Sequence, residues 1–132
     1  MKMRIVVADD NERMLAALVS TLSLHFDVVG TATDGRSALA QVESLQPTVL
    51  VLDLNMPDLN GIQVTKAIMQ KRSTCSVVIC SVESDPVLIE SAQSAGAVGY
   101  VLKSRFHKDL VNAVKSAACG ERYPFFFASQ PT

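Results

Sequence analysis

The sequence predicts one α/β domain built on a doubly wound, five-stranded parallel sheet with five helices. Short apolar runs alternate with helical patterns of roughly a dozen residues, the signature of strands joined by crossover helices. The third run, Thr48-Val49-Leu50-Val51-Leu52, has no polar alternation and is rich in β-branched residues, as expected of a central strand covered on both faces. At 132 residues and 48% hydrophobic, the chain has the length of a single domain and enough apolar material for one core.

The elements follow in order. Residues 4–8 read as the first strand, and the helix behind it carries Leu15, Leu18, Val19 and Leu22 on one buried stripe. Residues 28–33 are the second strand. Asp34-Gly35 then turns the chain into a helix whose inner face is Ala38, Val42 and Leu45 and which stops before Pro47. After the third strand and a polar loop at 53–60, Asn60 caps a helix that buries Val64 and Ile68, and Ser76 to Cys80 form the fourth strand. Asp85-Pro86 starts the fourth helix, with an acidic cap ahead of a proline in the first turn, and Gly96 ends it. Val98 to Leu102 make the fifth strand, and Leu110, Val114 and Ala117 line the last helix before Gly120. Tyr123-Pro124-Phe125-Phe126-Phe127 is neither periodic nor obviously solvated, so it is expected to pack on the domain or on a partner. The domain is taken as 1–123, with 124–132 a tail or the start of a linker.

Composition narrows the function classes. Lysine and arginine total 12 against 13 acidic residues, and no segment gathers the positive charge, so direct nucleic-acid or anionic-membrane binding is not expected. No run approaches the length of a signal or membrane helix, which points to a cytoplasmic protein. Cys75, Cys80 and Cys119 are odd in number and lack metal-ligand spacing; they read as small core residues in a reducing compartment. His25 and His107 lie without metal-like partners and read as surface residues.

Function is concentrated at the strand ends. The predicted strands deliver Asp9-Asp10, Asp53, Ser81 and Lys103 to their carboxyl termini, the edge where open α/β sheets bind ligands. A lone Asp after a strand is usually a turn residue. Three acids crowded together are different, because they repel one another unless a cation shares them or one stays protonated. A carboxylate nucleophile beside a hard divalent metal, a lysine and a hydroxyl describes phosphoryl transfer to aspartate. In that scheme Asp53 attacks phosphorus, Asp10 with Asp9 binds Mg²⁺, Lys103 meets one phosphoryl oxygen and Ser81 donates a hydrogen bond to another.

From Arg4 to Tyr123 the chain resembles the receiver domain of two-component response regulators. The resemblance rests on Asp9-Asp10, on Asp53 followed by Met56-Pro57 and Gly61, on Ser81, and on Tyr100-Val101-Leu102-Lys103, in family order. It implies a flavodoxin-like strand order 2-1-3-4-5, Asp53 as phosphoacceptor, and Mg²⁺ held by Asp10, Asp53 and the Asn55 main-chain carbonyl, with Asp9 acting mainly through water. It also implies a switch in which Ser81 turns toward the phosphoryl group and Tyr100 moves inward, changing the face made by the fourth helix, fifth strand and fifth helix. Tyr100 could otherwise be an ordinary half-buried strand aromatic. Asn55 and Glu83 match the positions that tune phosphoryl lifetime. The implied donor is a phosphohistidine on a sensor histidine kinase or phosphotransfer protein, and the chain modifies itself rather than turning over an external substrate.

Departures from the family pattern carry their own expectations. Val82 stands where receivers more often have a small residue, and its branched side chain would narrow the path for small phosphodonors. Ser104 replaces the proline that commonly follows the lysine, so no cis peptide is expected there, and Ser104 is expected to cap the last helix. The run Ala117 to Tyr123 resembles receivers that precede a helix-turn-helix DNA-binding domain, yet none follows, so an excised domain and a complete protein stay open, as does a homodimer on phosphorylation. Two other readings compete with this one. A haloacid dehalogenase-like phosphohydrolase wants a second Asp two residues after the nucleophile, where this chain has Asn55, which cannot donate and recover a proton. A phosphate-independent interaction module sits poorly with an intact acid, hydroxyl and lysine set.

Overall fold

The computed structural model describes residues 2–121. The boundary expected at Tyr123 and the packing expected of Phe125 to Phe127 lie outside the described residues. Five strands, β1 (Arg4–Ala8), β2 (Asp27–Ala32), β3 (Val49–Leu52), β4 (Ser76–Ser81) and β5 (Gly99–Leu102), pair in parallel in the order β2-β1-β3-β4-β5. The sequence boundaries agree to within a residue at each end. Helices α1 (Glu12–Ser23) and α5 (Phe106–Ala118) cover one face; α2 (Gly35–Leu45), α3 (Gly61–Gln70) and α4 (Pro86–Ala95) cover the other.

Alternation along each strand divides the core. Ile5, Val7, Val49, Val51, Val78 and Val101 pack toward Leu18, Leu22, Leu110 and Val114, whereas Val6, Leu50, Leu52, Val77 and Ile79 pack toward Ala38, Val42, Val64, Ile68 and Ile89. Since β3 is buried along its whole length, every one of its residues had to be apolar. The first polar residue after it is Asp53, where the strand ends.

The helix starts are fixed by side chains. Asn60 and Gln63 form a reciprocal capping box on α3, each bond 2.9 Å, and the Asp85 carboxylate accepts from the Val87 N–H ahead of α4 with Pro86 in its first turn. Gly96 ends α4 with φ 119°, the left-handed conformation that favours glycine. One cap expectation fails. Ser104 lies inside a 3-10 turn, Lys103–Arg105, and Arg105 occupies the cap position of α5 without a side-chain cap bond. The chain is already helical at Lys103, so Ser104 never adopts the extended backbone that lets a serine reach forward to free N–H groups. Instead Arg105 pairs with Asp109 one turn on, at 3.1 Å.

Cys75 and Cys80 are buried as expected, but Cys119 is exposed. It follows the last buried position of α5, Ala117, by two residues and therefore points away from the sheet. His25 and His107 are both exposed. Among the described residues no helix is long and apolar enough to cross a membrane.

Candidate functional site

The register of the sheet builds the site. Ala8 lies opposite Leu52 in the β1–β3 pair, so the next residues, Asp9 and Asp53, leave adjacent strands side by side. Their main chains remain tied to the sheet, with the Asp9 N–H donating to the Ala32 carbonyl and the Asp53 N–H to the Ala8 carbonyl, each at 3.0 Å. On the other side of β3, Ser81 lies opposite Leu102, one residue before Lys103. All five strands are parallel, so all these groups emerge at one edge.

The acids are buried in unequal measure. Asp9 is fully buried, Asp53 is 5% exposed and Asp10 is open to solvent. One carboxylate oxygen from each of the three falls within 4.8 Å of the others. The Lys103 ammonium lies 2.8 Å from Oδ2 of Asp9 and 3.4 Å from Oδ2 of Asp53. Oδ1 of Asp9 accepts from the Asn11 N–H at 2.9 Å, while Oδ2 faces the Lys103 ammonium. Three carboxylates brought this close, with only one ammonium beside them among the described residues, are a set of hard oxygen donors that fits a divalent cation such as Mg²⁺.

Electrostatics follow from this crowding. Burial, and after it the Asp9 charge, pushes the Asp53 carboxyl up to about 6 against the pull of Lys103 and a backbone hydrogen bond at Asn55. For Lys103, burial acts to lower the pKa, but the hydrogen bond to Asp9 and the charges of Asp53 and Asp9 outweigh it, so the ammonium is held above its ordinary value. Asp53 is thus a carboxylate whose charge is costly without a cation.

Ser81, Glu83 and Tyr100 form a second group behind the acids. The Ser81 hydroxyl accepts from the Glu83 N–H at 3.0 Å, and the Tyr100 hydroxyl donates to the Glu83 carbonyl at 2.8 Å. Burial raises the Tyr100 phenol, with a hydrogen bond to Ser81 opposing the rise. At 1% exposure Tyr100 is a fully buried ring, not a half-buried strand aromatic. The Glu83 side chain also meets the Asn55 amide across the site at 3.4 Å, a long contact at the exposed rim. Val82 projects outward, 68% exposed, into an open groove with Met14, Ala17, Lys103 and Ser104.

Two residues outside the strand-end set also shape the site. Asn11 caps α1 through the Met14 N–H while its own N–H holds Asp9, so the acid and the helix start are fixed together. An Asn just ahead of an apolar periodic run is a readable cap signal. Gly35 touches the loop after Asp53, and nothing local in the sequence announces that contact.

The response regulator receiver domain model matches residues 5–115. The chain belongs to that family. It is 32% identical over 124 residues to the transcriptional regulatory protein DegU of Brevibacillus brevis, covering 92% of this receiver and 52% of the relative. It is 35% identical over 121 residues to the probable transcriptional regulatory protein NarL of Mycobacterium tuberculosis, covering 90% and 56%. The receiver therefore spans little more than half the length of these relatives. The solved signal receiver domain of the putative M. tuberculosis NarL superposes with a TM-score of 0.88 at 34% identity, covering 91% of this chain and 98% of that one. A LuxR-family two-component response regulator from an Aurantimonas species gives 0.91 at 26% identity, covering 98% and 94%. The fold and strand order implied by the resemblance are those found.

Proposed function

We propose that this receiver accepts a phosphoryl group on Asp53 from a phosphohistidine of a sensor histidine kinase or phosphotransfer protein. The observation that carries the reading is the arrangement of Asp53 and the buried Asp9 around the Lys103 ammonium, on paired strand ends. An Asp53 oxygen attacks phosphorus, an O–P bond forms as the P–N bond of the donor breaks, and the imidazole departs with the bonding pair and takes up a proton. Lys103 offers its charge to a phosphoryl oxygen, and Ser81 donates its hydroxyl proton to another once it turns from Tyr100. Asp10, Asp53 and the Asn55 carbonyl would hold Mg²⁺, with Asp9 reaching it through water; bound there, the cation supplies charge that offsets the attacking carboxylate and the transferring oxygens. Hydrolysis of the acyl phosphate by water, at a rate tuned by Asn55 and Glu83, returns Asp53 and makes the chain its own phosphatase without an external substrate.

The switch uses the group behind the acids. The Ser81 and Tyr100 hydroxyls share the Glu83 main chain, so moving one disturbs the other and alters the face of α4, β5 and α5. The names of the relatives support a transcriptional output; it would run in the cytoplasm through a DNA-binding segment beyond these residues, with dimerisation on phosphorylation as one route to it. With 12 basic against 13 acidic residues, the charge balance of the receiver does not call for DNA binding by the receiver itself.

Intact mass after incubation with MgCl₂ and phosphoramidate tests the reading. One added phosphoryl group is expected, absent from Asp53→Asn and absent with EDTA. Full labelling of Asp53→Asn would move the acceptor elsewhere. Val82→Ala is expected to label faster with phosphoramidate, because trimming the branched side chain widens the approach to Asp53. An equal or slower rate removes the steric argument. No adduct on either protein would leave a phosphate-independent interaction module.

A further inference from the structure

Gly35 stands at the start of α2, on a different strand-to-helix connection from the one that carries Asp53. Its backbone is not left-handed, so it is not required there for its conformational freedom. The requirement is steric. A Cβ at position 35 would lie 2.0 Å from the Leu59 carbonyl oxygen, 2.6 Å from the Leu59 Cβ and 2.7 Å from the Leu59 carbonyl carbon. Two of those three atoms are main chain and cannot rotate aside. The Gly35 N–H also donates to the Pro57 carbonyl at 3.2 Å.

The opposite side of the loop is gripped in the same manner. The Gly61 N–H donates to the Leu54 carbonyl at 2.8 Å, and a Cβ at position 61 would lie 2.6 Å from the Asp53 carbonyl oxygen. Residues 54–60 are therefore held between the first residues of two helices. Between them Asp58 takes φ 69°, in the left-handed region that Asp and Asn tolerate better than most residues other than glycine.

We infer that Gly35 is a positioning residue for the acceptor loop, fixing where the Asn55 main chain lies relative to Asp53. The inference rests on the phosphoacceptor reading above. The start of α2 cannot yield to an added methyl group, because Asp34 caps the Ser37 N–H at 2.7 Å and Ala38 is fully buried in the core. The loop must yield instead. Displacing Leu59 is carried back along a short segment anchored at Gly61, and the Asn55 carbonyl moves with it.

The test is Mg²⁺ affinity of the full 132-residue chain, read by amide chemical-shift titration with MgCl₂. Four proteins are compared: the parent, Gly35→Ala, Asp53→Asn and Asp34→Ala. The last weakens the same helix start by removing its cap without adding an atom against the loop. Gly35→Ala is expected to bind Mg²⁺ about tenfold more weakly, the cost typical of losing support behind a metal ligand. Its Asn55, Asp58 and Leu59 amides should be displaced, while Asp34→Ala keeps the parental affinity. Parental affinity in Gly35→Ala, or an equal loss in Asp34→Ala, overturns the inference. If Gly35→Ala does not fold, Leu59→Gly decides, since it loosens the loop side of the contact: weaker binding supports the clamp and unchanged binding overturns it. A parent that binds no Mg²⁺, or an Asp53→Asn variant that binds as tightly as the parent, overturns the phosphoacceptor reading and the clamp together, and differs visibly from failure of the clamp alone.

Discussion

Asp53→Asn is expected to make the metal-free protein more stable at pH 8, by on the order of 2–3 kcal/mol, while abolishing labelling. The carboxyl is raised from 3.8 to about 6 by burial and by Asp9, so its ionised form is the disfavoured one in the fold. In the unfolded chain it is already ionised above pH 3.8. Between that pH and about 6 the folded state holds the extra proton, and folding stability falls as pH rises through this window. Above it the full cost is present. Asn has nearly the shape of Asp and no charge, so it removes that cost and leaves the packing in place. Urea denaturation in EDTA should show the variant ahead of the parent at pH 8 and the gap closing near pH 4. Equal stability at pH 8 would mean that Lys103 already neutralises the site.

This instability could be anticipated from the order of residues only in outline. Acids directly after two β-branched runs imply that the carboxylates meet if the strands are neighbours, and the register of Ala8 with Leu52 makes them so. Caps at Asn60 and Asp85 were readable for the same reason: a cap acts within three residues, so its signal is local. Ser104 shows the limit. It has the right chemistry for a cap, but the backbone after Lys103 enters a 3-10 turn, and the local residues do not say so. The unequal burial of Asp9 and Asp10 likewise depends on which of two adjacent side chains faces the sheet edge. The contact of Gly35 with Leu59 joins residues 24 positions apart and leaves no mark in either segment. What was hidden is what depends on tertiary approach.

The largest loss of stability is expected from Lys103→Met. Methionine keeps the length and apolar contacts of the lysine stem and deletes its charge. The ammonium at 2.8 Å from Asp9 and 3.4 Å from Asp53 is then gone, leaving two buried carboxylates facing one another. Removing one partner of a buried ion pair costs about 3–5 kcal/mol when the other is left charged. Here the acids have an escape, since taking up one proton relieves both burial and repulsion. The loss in EDTA should therefore be greatest at pH 8 and shrink as pH falls through the raised Asp53 pKa, higher still in the variant than about 6. Saturating MgCl₂ should recover most of the loss, because a cation bound only by the folded state stabilises it and replaces the missing charge. An equal deficit with and without Mg²⁺ would show that Lys103 acts through packing. Labelling separates the two roles of the residue. A cation can replace Lys103 as counter-charge for the acids, but the phosphoryl oxygen that Lys103 would meet has no substitute donor, so the Mg²⁺-stabilised variant should still label slowly with phosphoramidate.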